Sequence, residues 1–388
     1  MAMGDRISDL TATGIWSRTK GEPPLDLQLT SGLLDIDDLR ILAAALGAMP
    51  AGSPRASPGA TQSVARDTAP IWGGLSARIR LAIQRITLAQ LDLREVGATV
   101  QLDPASLKIA AGKATVGAGC GVMIEGGLSF DPTAERPYGL DATVAINDFE
   151  SAQLFAAIDP SRPPTIDGKF NATARLSGRY ATVDEIPDRL QGEFRLASRG
   201  GLFRALRADV SESIKQTPSK MSGALGTVTS LFGVKQEAAD AAGKFIDKSG
   251  KAVVELTSLI SEIHYDQISA TATRGPDFDI HLTGFTLIAP EERLTGTGAI
   301  TYVEGAPIAG RPLSLDLQFS AQGRVAALAG SVGLTRDEKD DLGYTRLLQP
   351  IHLGGTLARI DESQLREMLI QAALRKAAGS LLDKLLGK

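Results

Sequence analysis

The chain has 388 residues, 43% of them hydrophobic, with a mean hydropathy close to zero; this composition is typical of a folded protein with a sizeable core and excludes a disordered chain. The formal charge of −4 and the lack of any Lys/Arg run interleaved with aromatic residues argue against nucleic acid as a partner. Cys120 is the only cysteine, so the sequence excludes an intrachain disulfide and a metal site built on thiolates.

The start of the chain carries no targeting signal. No apolar window approaches the roughly 20 residues that cross a bilayer, and MAMGDRISDL lacks the basic and then apolar order of a signal peptide. The chain is therefore either cytosolic or part of a longer protein. The start MAMG and the early entry into strand-like sequence favour the second interpretation.

The first two hundred residues predict strands around one linker. Residues 1–46 hold alternating leucines such as Leu25, Leu27 and Leu29, which predict the end of an upstream strand series followed by a short helix. Residues 47–70 contain four prolines and many small side chains, which predict a flexible linker. In residues 71–203 apolar and polar side chains alternate in short runs separated by glycine, which predicts a β-meander.

The second half interrupts this rhythm and then resumes it. In residues 204–263 apolar side chains recur every three to four positions, which predicts an inserted group of amphipathic helices. Residues 264–360 return to a two-residue period and predict a continuation of the β-meander, clearest from Phe278 to Phe319. Residues 361–388 predict a C-terminal helix with two apolar stripes.

The sequence offers no constellation for catalysis. His264, His281 and His352 have no metal-binding companion at helical spacing, so a surface position is expected for each. Glu291 and Glu292 are adjacent carboxylates at a turn, for which solvation is the ordinary interpretation. We therefore expect no enzymatic activity, no cofactor and no metal.

The predicted fold is mainly β: a meander of antiparallel strands forming a curved, partly open sheet or groove, with an inserted helical segment and a C-terminal helix. Two arrangements fit the alternation. In one, a second layer covers the apolar face and makes a sandwich; in the other, the apolar face lines a trough for acyl chains. The residues alone favour the sandwich.

A family resemblance changes that balance. It depends on the order of these segments, which cover most of residues 72–360: LSARIRLAIQRITLAQLDLREVGATVQLDPASLKI, GVMIEGGLSFD, INDFESAQLFAAI, IDGKFNATARLSGRY, DRLQGEFRLASRGGLFRAL, LISEIHYDQISATATRGPDFDIHLTGFTLIAPEERLTGTGAI and LLQPIHLGGTLARI. In this order they resemble the C-terminal region of the AsmA-like proteins of the Gram-negative envelope, relatives of TamB and of the repeating-β-groove lipid transfer proteins. The family's N-terminal membrane helix is absent from this sequence.

The resemblance implies a periplasmic protein, tethered to the inner membrane by a segment outside this chain, that moves phospholipid between the inner and outer membranes. Its expected partners are phospholipid acyl chains, with the membrane surface or envelope proteins as further partners and no nucleic acid. The alternative is a structural or assembly module with a closed β core and no conduit. The side chains expected to line the groove are Phe278, Ile280, Leu282, Ile300, Tyr302, Leu313, Leu315, Leu317, Phe319, Leu140, Val144 and Ile146.

Overall fold

The computed structural model describes residues 8–17, 24–35, 67–88, 91–117, 119–159, 161, 163–208, 250–372 and 375. Their contacts divide the chain into two compact units. The first unit consists of residues 1–149, 170–195 and 274–278, and the second unit of residues 150–169, 196–273 and 279–388. The described part of the chain is mainly β, with antiparallel and parallel strand pairs, which confirms the predicted mainly β fold class.

The first unit is built on a meander of long strands. Its strands are β1 (Thr11–Trp16), β2 (Leu25–Ser31), β3 (Leu34–Asp35), β4 (Ala77–Leu88), β5 (Leu91–Asp103), β6 (Ser106–Val116), β7 (Cys120–Phe130) and β8 (Tyr138–Glu150). Each strand from β4 to β8 pairs antiparallel with the next, as their hairpin connections require. The predicted β-meander is therefore present in this part of the chain.

Some of the strand pairs are parallel. β1 pairs antiparallel with β2, but β2 and β3 both pair parallel with β4, so that Leu25 lies opposite Ala77 and Leu34 opposite Ile86. Parallel neighbours need a long crossover connection, and the proline-rich stretch ahead of β4 supplies the necessary length. Residues 36–66 of that connection, with most of the predicted linker, lie outside the described residues.

The remaining strands follow along the chain. They are β9 (Ile166–Tyr180), β10 (Gln191–Phe203), β11 (Ile263–Arg274), β12 (Ile280–Ile288), β13 (Glu292–Ile300), β14 (Leu313–Ala321), β15 (Thr335–Lys339), β16 (Thr345–Leu347), β17 (Ile351–Gly355) and β18 (Ile360–Asp361). In the second unit β12, β13 and β14 are consecutive antiparallel neighbours, and β14 also pairs with β16 and β17. This confirms the strand order that the sequence predicts between residues 278 and 319.

The described helices are short. They are α1 (Ser151–Ile158), α2 (Ile186–Arg189), α3 (250–260), α4 (Gly323–Ser331) and α5 (363–372). α5 confirms the predicted C-terminal helix, and α3 lies at the end of the predicted helical insertion, of which residues 209–249 are outside the described part. None of the helices described is long and apolar enough to cross a membrane.

α4 was not predicted. Its sequence GRVAALAGS is rich in glycine and alanine and offers only Val325 and Ala329 as buried residues, so no apolar stripe marks it in the sequence. Together with α5, which buries Leu365 and Leu369, it belongs to the second unit.

Candidate functional site

The first unit presents a continuous apolar face on strands β2 and β4–β8. Because register partners lie on the same face of a sheet, the pairings define rows of side chains that cross the strands. From one end to the other, the rows are Leu25–Ala77–Leu102–Leu107–Leu128–Leu140, then Leu27–Ile79–Val100–Ile109–Gly126–Ala142, then Gly112–Ile124–Val144, then Ala114–Val122–Ile146. Nearly every side chain in these rows is aliphatic.

One end of the apolar face is closed by aromatic residues. Trp72, Phe130, Tyr138 and Tyr180 form a buried cluster with the first row of side chains, and the ring centroids of Phe130 and Tyr138 lie 5.1 Å apart in an edge-to-face contact. Trp72 donates a hydrogen bond from Nε1 to the backbone oxygen of Asp103 at 2.8 Å. We call these four aromatic residues the aromatic plug.

The segment before β4 is held onto this end by Tyr138. The hydroxyl of Tyr138 accepts a hydrogen bond from the backbone N–H of Ile71 at 3.2 Å and donates to the backbone oxygen of Ala69 at 3.4 Å. Burial, followed by its contact with the Asp67 carboxyl, raises the pKa of Tyr138 to about 12, so the hydroxyl stays protonated near neutral pH. The aromatic plug is therefore a fixed boundary of the apolar face.

The other edge holds a smaller cluster of Leu34, Ile83 and Ile86, with Leu93 and Val96 packed against it. On β7 and β8 the side chains of the third and fourth rows are only half-buried. Neither cluster includes the side chains of Ile124, Val144 or Ile146. A half-buried aliphatic surface of this kind can contact an acyl chain without first losing a packed core.

The second unit has a comparable apolar face, but much of it is covered. The row Leu287–Leu294–Phe319 is buried, with at most 2% of each residue exposed, and the next row places Leu317 (2% exposed) beside Ile351 (2% exposed). Leu313 is also buried. Leu313, Leu317 and Phe319, three of the residues expected to line a groove, are thus buried on β14. Their contact with lipid stays a prediction.

Other predicted lining residues of the second unit are more open. Ile280 lies opposite Ile300, and Leu282 lies opposite Gly298, which has Leu315 as its partner on the other side. The side chains of Ile280, Leu282, Ile300 and Leu315 are half-buried. On β12 and β13 the burial of the apolar side chains therefore decreases toward Ile280 and Ile300, whereas on β14 Leu315 is half-buried and Leu313, the partner of Ile300, is buried again. The two-residue period is the same at both ends and cannot show this difference.

Two predicted lining residues lie outside the strands. Phe278 precedes β12 with a φ of +62° and lies against the guanidinium groups of Arg189 and Arg274, at 5.7 and 5.8 Å from its ring centroid. Tyr302 follows β13, and the guanidinium of Arg311 lies 4.6 Å from its ring. Both rings make cation–π contacts, which differs from the purely apolar surroundings expected of a groove lining.

The last three predicted residues, Leu140, Val144 and Ile146, lie on β8 in the apolar face of the first unit. Leu140 packs against the aromatic plug, whereas Val144 and Ile146 belong to the half-buried rows. The sequence reasoning did not assign Ile109, Val122 or Ile124 to a lining. The signal lies in the alternation of apolar and polar residues in β6 and β7, which is less regular than that between residues 278 and 319.

Among the titratable residues singled out in the sequence, Glu292 differs from its predicted environment. The three histidines are exposed, and His352 Nδ1 contacts the Asp316 carboxylate. The expectation that Glu292 is solvated is wrong: only 9% of the residue is exposed, and burial raises its pKa. Its neighbour Glu291 accepts a hydrogen bond from the backbone N–H of Val325 at 3.1 Å, which caps the first turn of α4.

Comparison with known proteins identifies one relationship. The model of the AsmA family matches residues 7–245, more than half of the chain. The match begins earlier than the resembling segments noted in the sequence and ends before β11. No curated protein and no solved structure matches the chain.

Proposed function

The chain belongs to the AsmA family, and from that premise we propose that its first unit binds acyl chains on the apolar face and helps to move phospholipid between the inner and outer membranes of a Gram-negative envelope. Family membership supports an envelope-associated role. The proposal places the protein in the periplasm, tethered to the inner membrane by a segment outside this chain. It involves no enzymatic step.

The observation that carries the proposal is the half-buried pair of rows around Val144. Ile124 and Val144 are register partners, as are Val122 and Ile146, so four aliphatic side chains of two strands form one patch. At about 3.3 Å per residue, the apolar positions of β8 from Leu140 to Ile146 extend over about 20 Å. Such a strip can accompany much of an extended acyl chain.

The energetic reason for such a surface is the cost of exposing an acyl chain to water. A chain of about 16 carbons costs on the order of 13 kcal/mol in water at about 0.8 kcal/mol per methylene. A continuous aliphatic strip removes a large part of that cost, while polar side chains on the opposite face of the same strands remain in solvent. A lipid that moves along the strip then crosses no large free-energy barrier between one row and the next.

A second candidate is an assembly module, favoured by one specific observation. All six residues of β1 are exposed, and Ile15 and Trp16 are 72% and 67% exposed. An exposed strand with large apolar side chains can pair with a strand of another envelope protein. This candidate predicts that the apolar face carries no lipid.

The test uses the full chain purified from a Gram-negative host. Lipid extraction and mass spectrometry measure the phospholipid that copurifies, and photoreactive acyl chains identify the side chains in contact. We expect crosslinks at Val144 and Ile146. Recovery of no phospholipid together with no crosslink to these strands would reject the proposal.

A pair of adjacent variants separates the two candidates. Ile124→Asp places a charge on the apolar face, whereas Met123→Asp places it on the opposite face, where Met123 is 48% exposed and lies across from Lys113. If the chain carries acyl chains, Ile124→Asp loses most of the bound lipid and Met123→Asp retains it. An assembly module would instead lose its function on substitution of β1 residues by proline and tolerate Ile124→Asp.

A further inference from the structure

The second unit contains a pocket of about 800 Å³ whose lining includes four arginines. Arg204 and Arg207, which follow β10, are the first pair, and Arg359 and Arg366, from the turn before β18 and from α5, are the second pair. The two pairs are far apart in the sequence and form no motif there. The fold alone brings these four side chains to one cavity.

The first pair uses only part of its hydrogen-bonding capacity within the protein. Arg204, whose side chain is only 13% exposed, donates from Nε to Glu262 Oε1 at 3.1 Å and from Nη1 to the backbone oxygen of Pro164 at 3.3 Å. Arg207 Nη2 donates to the same Glu262 oxygen at 2.8 Å, and Glu262 itself does not line the pocket. A guanidinium has more N–H donors than these bonds use, so the first pair retains donors for a ligand.

The second pair is less engaged than the first. Arg359 and Arg366 are exposed, and neither guanidinium makes a hydrogen bond or an ion pair with the residues that the structure describes. Hydrogen bonds from Ser363, of which the backbone N–H gives the largest effect, lower the pKa of Asp361, and the charges of Arg366 and Arg359 lower it further. Both guanidiniums of the second pair thus lie near the first turn of α5 with their N–H donors available.

The backbone that carries Arg359 is held in place before any ligand binds. The backbone N–H of Thr356 donates to the Arg359 oxygen at 2.9 Å, and the backbone N–H of Arg359 donates back to the Thr356 oxygen at 3.0 Å. Gly355, at a φ of +87°, lies so close to the Arg359 oxygen that a Cβ would collide with it. A ligand at this turn therefore has to order only the Arg359 side chain, which lowers the entropic cost of binding.

Three carboxylates line the pocket, and each of them has a partner. Asp159 accepts hydrogen bonds from the backbone N–H of Ser161 at 3.0 Å and from the Ser161 hydroxyl at 2.5 Å. Asp361 accepts one from the backbone N–H of Ser363 at 2.9 Å, and Glu362 has a partner as well. The lining holds more guanidiniums than carboxylates, so the hydrogen-bonding capacity that remains for a ligand is mainly that of N–H donors.

We propose that this pocket binds a phosphate group through its four arginines. The planar guanidinium donates two parallel N–H bonds to phosphate oxygens, and such charge-assisted bonds are stronger than neutral ones. The cavity is much larger than one phosphate ion, which leaves room for a substituent such as glycerol. The inference goes beyond the proposed function, because it concerns the second unit and requires no acyl chain.

Other ligand classes fit this lining less well. A cationic ligand would lie beside four guanidinium charges and be repelled by them. A carboxylate presents two oxygens in one plane, which one guanidinium can satisfy. A phosphate presents its oxygens in a tetrahedron and can accept hydrogen bonds from both pairs of arginines at once.

The experiment measures ligand binding to the full chain by ligand-observed NMR titration. The probes are inorganic phosphate, glycerophosphoglycerol and acetate. We expect the better of the two phosphate probes to bind at least about tenfold more tightly than acetate, equivalent to one charge-assisted hydrogen bond. Acetate that binds as tightly as both phosphate probes, or no binding of either phosphate probe, would overturn the proposal.

The same titration distinguishes two sources of the phosphate group. Tighter binding of glycerophosphoglycerol would support the pocket as a site for a phospholipid headgroup. Tighter binding of inorganic phosphate would support it as a site for a soluble phosphate.

Substitutions of the second pair test the role of the guanidinium groups. Arg359→Gln and Arg366→Gln, both at exposed positions, should each weaken binding of the better phosphate probe by about tenfold. Arg359→Lys keeps the charge but lacks the planar fork, so it should bind more weakly than the parent protein and more tightly than Arg359→Gln. Circular dichroism checks that each variant is folded.

The matched control is Arg324→Gln. Arg324 is an exposed, ion-paired arginine of the same unit that does not line the pocket, and its substitution should leave phosphate binding unchanged. Unchanged binding in both Arg359→Gln and Arg366→Gln, or an equal loss in Arg324→Gln, would refute the site.

This inference and the proposed function fail in different measurements. The probes carry no acyl chain, so Ile124→Asp should leave their binding intact while it removes bound lipid. If phospholipid copurifies with the chain but neither phosphate probe binds, the phosphate site is wrong and the acyl-chain proposal stands. If a phosphate probe binds through the arginines and no phospholipid copurifies, the reverse holds.

Discussion

Leu317 lies directly over Gly296 of the neighbouring strand. The two residues are register partners in β14 and β13, and Leu317 Cδ2 lies 2.7 Å from the position that a Cβ of residue 296 would take. Leu315 and Gly298 repeat the arrangement one row further along. Leucine side chains thus fill the space that glycine leaves on β13.

The first prediction concerns Gly296→Ala. The added methyl group collides with the Asp316 backbone oxygen as well as with Leu317, so the two strands must separate. We expect the free energy of unfolding to fall by about 1–3 kcal/mol, as for other overpacked sites. Urea denaturation followed by circular dichroism measures it.

The control for this substitution is Gly284→Ala in β12. Nothing lies within 4 Å of a Cβ built at Gly284, and its backbone is not in the left-handed region. The free energy of unfolding should change by less than about 0.5 kcal/mol. Equal losses in the two variants would show that glycine is not needed for close packing of β13 on β14.

The second prediction compares two leucines of the same strand and the same face. Leu317 is 2% exposed and Leu315 is half-buried. Leu317→Ala should lower the free energy of unfolding by about 2–5 kcal/mol because it leaves a cavity in the core, and Leu315→Ala should cost clearly less. Thermal and urea denaturation of the two variants measure the difference, and a larger cost at Leu315 would contradict the greater burial of Leu317.

These two leucines also show what could be predicted from sequence. The alternation of Leu313, Leu315, Leu317 and Phe319 was sufficient to predict the strand, its face and its neighbours in the β-meander. It could not show that Leu317 is covered and Leu315 is less so, because cover comes from residues distant in the chain. The same limit applies to the apolar face of the first unit: its strands were predicted, but of its half-buried rows only Val144 and Ile146 were predicted as lining residues.

Two further features were out of reach for specific physical reasons. The parallel pairing of Leu25 with Ala77 depends on the path of a long connection, which no local pattern encodes. The second unit contains a pocket of about 800 Å³ lined by Arg204 and Arg359, which are far apart in the sequence, and single arginines between strands carry no signal of their own. The family resemblance predicted an open sheet, but it predicted neither the position of the half-buried rows in the first unit nor that of the pocket in the second unit.

The third prediction concerns the aromatic plug. Trp72 is 6% exposed and donates a hydrogen bond to Asp103, so Trp72→Ala removes both a large buried side chain and a donor. We expect a loss of about 3–5 kcal/mol in the free energy of unfolding. The chain contains only two tryptophans, Trp16 and Trp72. The reference protein therefore carries Trp16→Phe, so that the fluorescence of Trp72 alone follows its unfolding.

Trp16 supplies the control. It is 67% exposed on β1, so Trp16→Ala should change the free energy of unfolding by no more than about 0.5 kcal/mol. Unfolding of the Trp72→Ala protein is followed by circular dichroism, because this variant lacks the buried tryptophan. A loss under about 1 kcal/mol in Trp72→Ala would mean that the aromatic plug does not fix the end of the apolar face.

The last prediction uses two adjacent carboxylates with opposite effects on stability. Burial raises the pKa of Glu292 in the folded protein above its usual 4.5. A raised folded pKa means that the folded state binds the proton more tightly than the unfolded state does. The resulting stabilisation is complete below pH 4.5 and is lost as the pH rises through the folded pKa.

Glu292→Gln removes this dependence, because a neutral amide occupies the buried position at every pH. The variant should be more stable than the parent protein above the folded pKa, and the difference should shrink toward pH 4.5. Glu291→Ala, in contrast, loses the cap of α4 and should cost about 0.5–2 kcal/mol near neutral pH. Urea denaturation between pH 4 and 8 measures both, and a Glu292→Gln protein that is less stable than its parent at pH 8 would show that ionised Glu292 is stabilised by its surroundings.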